Sequence, residues 1–138
     1  LEQARTIIAG ALAKAADGGF KPLGVVVLDA GGHTTAFERQ DGASAMRFKI
    51  AHGKAYGAIA MGLGSRTLYV RVQKQPYFID AMNALADGAL VPVPGGVLIR
   101  DSEGVLLGAV GVTGDNSGNE EMCAISGIEA ARLVADAG

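Results

Sequence analysis

Tryptophan is absent from this 138-residue chain, cysteine occurs once, and the aromatic residues are four phenylalanines and three tyrosines. With Cys123 alone, no internal disulfide can form. That fits a reducing compartment, so the cytoplasm is the expected location. The first residue is leucine rather than methionine, so a preceding segment and secretion both stay open. No run of 18 apolar residues occurs, which argues against a membrane-spanning helix. The net charge of −2 argues against nucleic acid as a main partner. Neither G-x-S-x-G, nor a phosphate-binding P-loop, nor a paired-cysteine metal motif is found. Gly62-Leu63-Gly64 does not follow a strand pattern, which excludes a dinucleotide reading.

Apolar residues make up 49% of the chain and charged residues 19%. This suits a single folded domain over residues 1–138 that needs no disulfide or metal for its core. Glycine is abundant, at 21 residues. Small residues permit close backbone approach, and a core poor in large side chains gains burial by association. Composition alone leaves a homo-oligomer and a lone subunit equally open.

Residues 2–17 carry Ile7, Ile8, Ala11, Leu12 and Ala15 at helical spacing, and Gly18-Gly19 end the helix. Residues 23–29 read as a buried strand, and Ala30-Gly31-Gly32 as a hairpin turn. The return strand, residues 33–39, alternates, with His33, Thr35, Phe37 and Arg39 on one face. Ser44 is the expected N-cap of a second helix over about 45–63. There Phe48, His52, Ala55 and Ile59 share a face. Gly53 and Gly57, four apart, suit a tight crossing with another helix or subunit. A third helix starts at Ser65 and a fourth covers 77–87, with Pro76 between them and Gly88 after. Residues 97–113 form a second hairpin turning at Ser102-Glu103-Gly104. A last helix over about 119–137 is capped by Ser117 or Asn119, with Glu120 and Glu121 in its first turn. The fold class is α+β: an antiparallel sheet of two hairpins, about five strands, flanked by helices.

The basic residues Arg39, Arg47, Lys49, Lys54, Arg66, Arg71 and Lys74 concentrate mid-chain. They suit an anionic small molecule or, equally, a solvated face. His33, directly after a turn, and His52, on a helix one turn from Lys49 and Tyr56, are the only histidines. Either can ligate a metal or move a proton near neutral pH. His33 also reads as a hairpin-corner residue, and His52 as a half-buried interface residue. Arg39 and Asp41 flank the entry to the second helix, where an anion is favoured. Lys54 reaches the same place only if that helix runs across the sheet. Cys123 lies near a helix N-terminus, where a thiolate is favoured, but a buried small hydrophobe is the simpler reading.

Six stretches together resemble the GlcG/HbpS family of haem-binding-related proteins: V-V-L-D-A-G-G-H, F-E-R-Q-D-G-A, K-A in the second helix, P-G-G-V, G-A-V-G-V-T-G and E-E-M-C-A-I-S-G-I. The chain is similar also to the carboxy-terminal domain of PduO-type corrinoid adenosyltransferases. The resemblance runs over about residues 2–135. It implies a layered α+β domain of profilin or PAS type, assembly as a homo-oligomer (dimer or higher), and haem or a related anionic ligand. It carries over Asp29 and His33, Arg39 and Asp41-Gly42, Lys54, Gly95-Gly96 and Glu120-Glu121. Thr113 stands where many relatives have serine, and Glu120 where aspartate is common. The hydroxyl and the charge are both kept.

The first functional expectation is therefore a ligand-binding protein. His33 or His52 would be the axial iron ligand if haem binds, and Arg39 or Lys54 would face its propionates. Gly95 and Gly96, with Thr113, would complete the binding set. Pro94-Gly95-Gly96 could present backbone amides to an anion, or only admit close packing at the strand entry. The second expectation is a tautomerase, isomerase or hydratase on a small carboxylate or carbonyl compound. There Lys54 or Arg39 would stabilise an enolate-like charge, and Glu121, Glu120 or His33 would move the proton. A structural or partner-binding subunit is the third.

Overall fold

The computed structural model describes all residues 1–138. Helix α1, Glu2–Gly18, leads into strand β1, Gly24–Asp29, and its hairpin partner β2, Thr34–Arg39. Helices α2 (Arg47–Met61), α3 (Ser65–Lys74) and α4 (Pro76–Leu85) follow. The second hairpin is β3, Gly96–Arg100, with β4, Leu106–Thr113. Helix α5, Ser117–Ala130, and a short strand β5, Val134–Asp136, close the chain. The five strands form one sheet of order β2-β1-β4-β3-β5, antiparallel throughout. The α+β class with an antiparallel sheet under helices is as expected from the sequence. No helix is long and apolar enough to cross a membrane.

Alternation along the strands divides the core. Val25, Val27, Val97, Ile99, Val110 and Val112 pack against α1 and α5. Val26, Leu28, Leu98 and Ala109 face the other way, onto Ala51, Ala55 and Ala58 of α2. Burying each large aliphatic side chain contributes about 1.5–3 kcal/mol. The helix-bearing faces come close because glycine lies at the contacts. A Cβ at Gly127 of α5 would stand 2.3 Å from the Ile7 carbonyl oxygen of α1. Gly53 and Gly57 of α2 meet Val91 and Leu90, so the element crossing them is the segment before β3 rather than a helix.

Three local expectations change. The last helix stops at Ala130, and Arg132 takes a left-handed backbone (φ 60°). Residues 134–136 then pair with β3, and Arg100 Nε donates to Asp136 Oδ2 at 3.0 Å. The open edge of β3 offers backbone partners that override helix propensity. On β2 the register shifts: Val27 pairs with Ala36 and Leu28 with Thr34, leaving Thr35 as a bulge. The strict alternation read over residues 33–39 therefore fails, and Thr34 turns into a cleft on the α2 side. Finally, Ser44 does not cap α2. The N-cap is Met46, without a side-chain bond, and Asn116 caps α5 by accepting from the Asn119 N–H.

Candidate functional site

The interior of the molecule holds one ion pair. Lys54 Nζ lies 3.0 Å from Glu120 Oε1 and 3.1 Å from the Val112 carbonyl oxygen, to which it donates. Both side chains are almost wholly buried. The second carboxylate oxygen accepts from the Gly114 N–H at 2.7 Å. One carboxylate thus ties α2, the end of β4 and the first turn of α5. Burial pushes the Lys54 pKa below its ordinary value of 10.5; the Glu120 charge opposes that shift, and Arg47 adds to it. Arg47 itself donates to the Thr113 hydroxyl at 2.9 Å.

Gly95 and Gly96 belong to this locus, and the molecule uses them for packing. A Cβ at Gly96 would lie 2.3 Å from the Lys54 carbonyl oxygen. One at Gly95, whose φ is 119°, would lie 2.8 Å from the Val112 oxygen and 3.0 Å from Lys54 Nζ. The Gly96 N–H donates to Ser65 Oγ at 2.7 Å. The two glycines before β3 let α2 and its lysine descend onto the sheet. Lys54, Gly95, Gly96, Thr113 and Glu120 are thereby brought to one place, closed over by the protein's own groups.

Arg39 is not part of it. Arg39 and Thr113 both pair with Gly24, on opposite sides of β1, so they share a sheet end but lie two strands apart. Arg39 lines a separate shallow depression with Phe20, Pro22, Gln40 and Asp41. Its guanidinium donates to the Ala43 carbonyl rather than pairing with Asp41. Glu121 holds Arg66, accepting from Nε at 2.9 Å, which fastens α5 to α3. Cys123 is buried, and burial pushes its thiol up to about 11, so it is a thiol at neutral pH.

The histidines occupy different surroundings. His33 stands at the first hairpin corner with its side chain 83% exposed, its Nδ1 3.3 Å from Asp29 Oδ1. The same carboxylate oxygen accepts from the N–H groups of Gly31 and His33. These bonds, the His33 amide foremost, hold the Asp29 carboxyl below the usual range. His52 is half-buried on α2, and burial lowers its pKa from the ordinary 6.5, so its imidazole is neutral at pH 7.

Around His52 three of the seven aromatic residues gather. Its ring centroid is 5.8 Å from Phe48 and 5.6 Å from Tyr56, nearly parallel to the latter at 14°. Phe48 in turn meets Phe37 of β2 edge to face at 4.8 Å. Residues 48, 52 and 56 follow at i, i+4 spacing, so one helix face presents all three rings. The face read from the sequence through Ala55 and Ile59 instead continues into Tyr56, because Ala55 turns to the sheet. Beside the rings is a cleft of about 330 Å³, lined by Thr34, Phe48, Lys49, His52, and the turn Asp87-Gly88-Ala89. Lys49 and Asp87 bring opposite charges to it. Phe48 and Asp87 were not among the sequence candidates, and Lys49 was one only as part of the mid-chain basic cluster; the helical spacing of residues 48, 52 and 56 was the available signal.

Comparison with known proteins gives a family model, described as haem degrading protein HbpS-like, that matches residues 1–129. The chain belongs to the HbpS-like family. Among solved structures, this HbpS-like chain is similar to a PduOC–haem complex, at 24% identity and a TM-score of 0.85, covering 96% of this chain and 94% of that one. It resembles the ORFY protein of Klebsiella pneumoniae at 22% identity and a TM-score of 0.85, over 95% and 88% of the two chains. It also resembles a doubly substituted HbpS of Streptomyces reticuli at 25% identity and a TM-score of 0.77, over 93% and 83%. No functionally curated protein is detectably similar in sequence.

Proposed function

We propose that this HbpS-like chain binds haem, or a planar anionic ligand of like chemistry, in the cleft beside α2. The observation that carries the reading is His52: a neutral, half-buried imidazole on an open cleft, flanked by Phe48 and Tyr56 and one turn from Lys49. A neutral imidazole offers an iron lone pair without first losing a proton. The rings supply apolar faces to a flat ligand, and the Lys49 ammonium suits a carboxylate. These donors fit haem, whose iron would supply redox chemistry when bound. The family assignment and the haem in the PduOC structure favour the same ligand.

His33 is the competing iron ligand. The Asp29 carboxylate beside Nδ1 leaves its other ring nitrogen outward. Its exposure makes it the weaker choice, since a solvated imidazole has no apolar wall to seat a macrocycle. The enolate-stabilising alternative lacks support at Lys54, whose ammonium is buried and engaged by Glu120 and Val112. Haemin titration of the wild-type, His52→Ala and His33→Ala proteins separates these readings. Homo-oligomeric assembly is part of the proposal too. Tyr69, Val70 and Tyr77, all exposed on α3 and α4, are the surface that favours it, and size-exclusion chromatography is its test.

A further inference from the structure

Between α2 and α4 runs a second recess of about 200 Å³, and every residue lining it is apolar, among them Tyr56, Met61, Met82, Leu85 and Leu90. Its lining shares no residue with the His52 cleft, but the two are linked through Tyr56 and through the chain at the end of α4. Tyr56 stacks on His52 and also lines the apolar recess. The end of α4 and the chain after it serve both: Asp87, Gly88 and Ala89 line the cleft, while Leu85, Ala86 and Leu90 line the recess.

That shared segment is fastened in place. Asp87 and Gly88 take left-handed backbone (φ 55° and 82°). The Gly88 N–H donates to the Asn83 carbonyl at 2.9 Å, the Leu90 N–H to the Asn83 side-chain oxygen at 3.2 Å, and the Val91 N–H to the Gly53 carbonyl at 3.1 Å. It is a fixed rim between a polar and an apolar compartment.

We infer that the apolar recess between α2 and α4 is the second compartment of the His52 site, taking the hydrophobic edge of an amphipathic ring ligand whose charged end lies at Lys49. This rests on the reading of the cleft as the ligand site. Three observations point to a ligand edge as the occupant. The ring ladder Phe48–His52–Tyr56 runs unbroken from one compartment to the other. The lining changes from polar and charged to wholly apolar across a single rim. The cleft alone, at about 330 Å³, lies at the small end of the ~300–1,000 Å³ range of ligand pockets, and the recess adds about 200 Å³ of wholly apolar space. Met61 and Met82 add flexible thioethers, which adapt to an irregular apolar edge.

The test uses Leu85→Asp and Met82→Gln. Leu85 is 77% exposed, so its replacement leaves the core untouched. Haemin affinity, the position of the Soret band and the elution volume are read for each variant and for wild type. The expected result is about a tenfold loss of haemin affinity, or ~1.4 kcal/mol, with the Soret position and elution volume unchanged. Unchanged affinity in both variants, with binding lost in His52→Ala, would overturn the inference and leave the cleft reading intact. A shifted elution volume with unchanged haemin affinity would assign the recess to a second copy of the chain, again overturning it. If wild type takes up no haemin, the cleft reading fails and the inference falls with it.

Discussion

The imidazole of His52 lies 5.6 Å from the Tyr56 ring and within 14° of parallel to it. Such stacked pairs contribute about 0.5–1.5 kcal/mol beyond their buried area. Tyr56→Ala removes both the stacking partner of His52 and a wall of the apolar recess. We expect a two- to tenfold loss of haemin affinity, ~0.4–1.4 kcal/mol, whereas Tyr56→Phe retains binding. Spectrophotometric titration checks both.

Acid should weaken the site. Burial lowers the His52 pKa below 6.5, so on acidification the unfolded chain takes up this proton before the folded one does. The stability linked to His52 is present above pH 6.5 and is lost as pH falls through the lower, folded value. Haem ligation follows the same direction, because a proton and iron compete for one lone pair. Haemin affinity measured from pH 8 to pH 5 should hold on the alkaline side and fall in acid. His52→Ala should flatten that dependence.

Lys54 and Glu120 are each other's partner in the interior. Removing one leaves the other charge buried and uncompensated. Lys54→Met and Glu120→Gln should therefore each cost about 3–5 kcal/mol in urea denaturation. The double variant Lys54→Met/Glu120→Gln should cost less than the sum of the singles, because neither charge remains.

Gly96→Ala places a methyl group 2.3 Å from the Lys54 carbonyl oxygen, a backbone atom that cannot swing aside. Overpacking of this kind costs about 1–3 kcal/mol. Gly118→Ala is the control. It is exposed in the first turn of α5, and the nearest atom to its Cβ is 3.6 Å away. It should be neutral or slightly stabilising.

The two hairpins, the helices and their order were legible because turn glycines and β-branched runs mark strands locally. The pairing of β5 was not. Residues 133–137 carry an apolar pattern that suits a helix as well as a strand, and only the vacant edge of β3 decides. The bulge at Thr35 was hidden for a similar reason, since register depends on both strands. At the site, Lys54 and Gly95-Gly96, with Arg39, read from the sequence as a ligand set and Glu120 as a proton carrier. The structure joins Lys54, Gly95-Gly96 and Glu120 to one another and leaves Arg39 apart, and glycine there answers to the close approach of α2. His52 was visible as a candidate, but its cleft was not. Thr34 and Asp87 reach it only through the bulge and a left-handed turn.

The most direct measurement is a haemin titration of the wild-type protein beside His52→Ala and His33→Ala, followed at the Soret band. The account predicts saturable binding in wild type and in His33→Ala, with the band lost or shifted in His52→Ala alone. Saturable binding that survives in His52→Ala and disappears in His33→Ala would contradict it and move the iron to the hairpin corner.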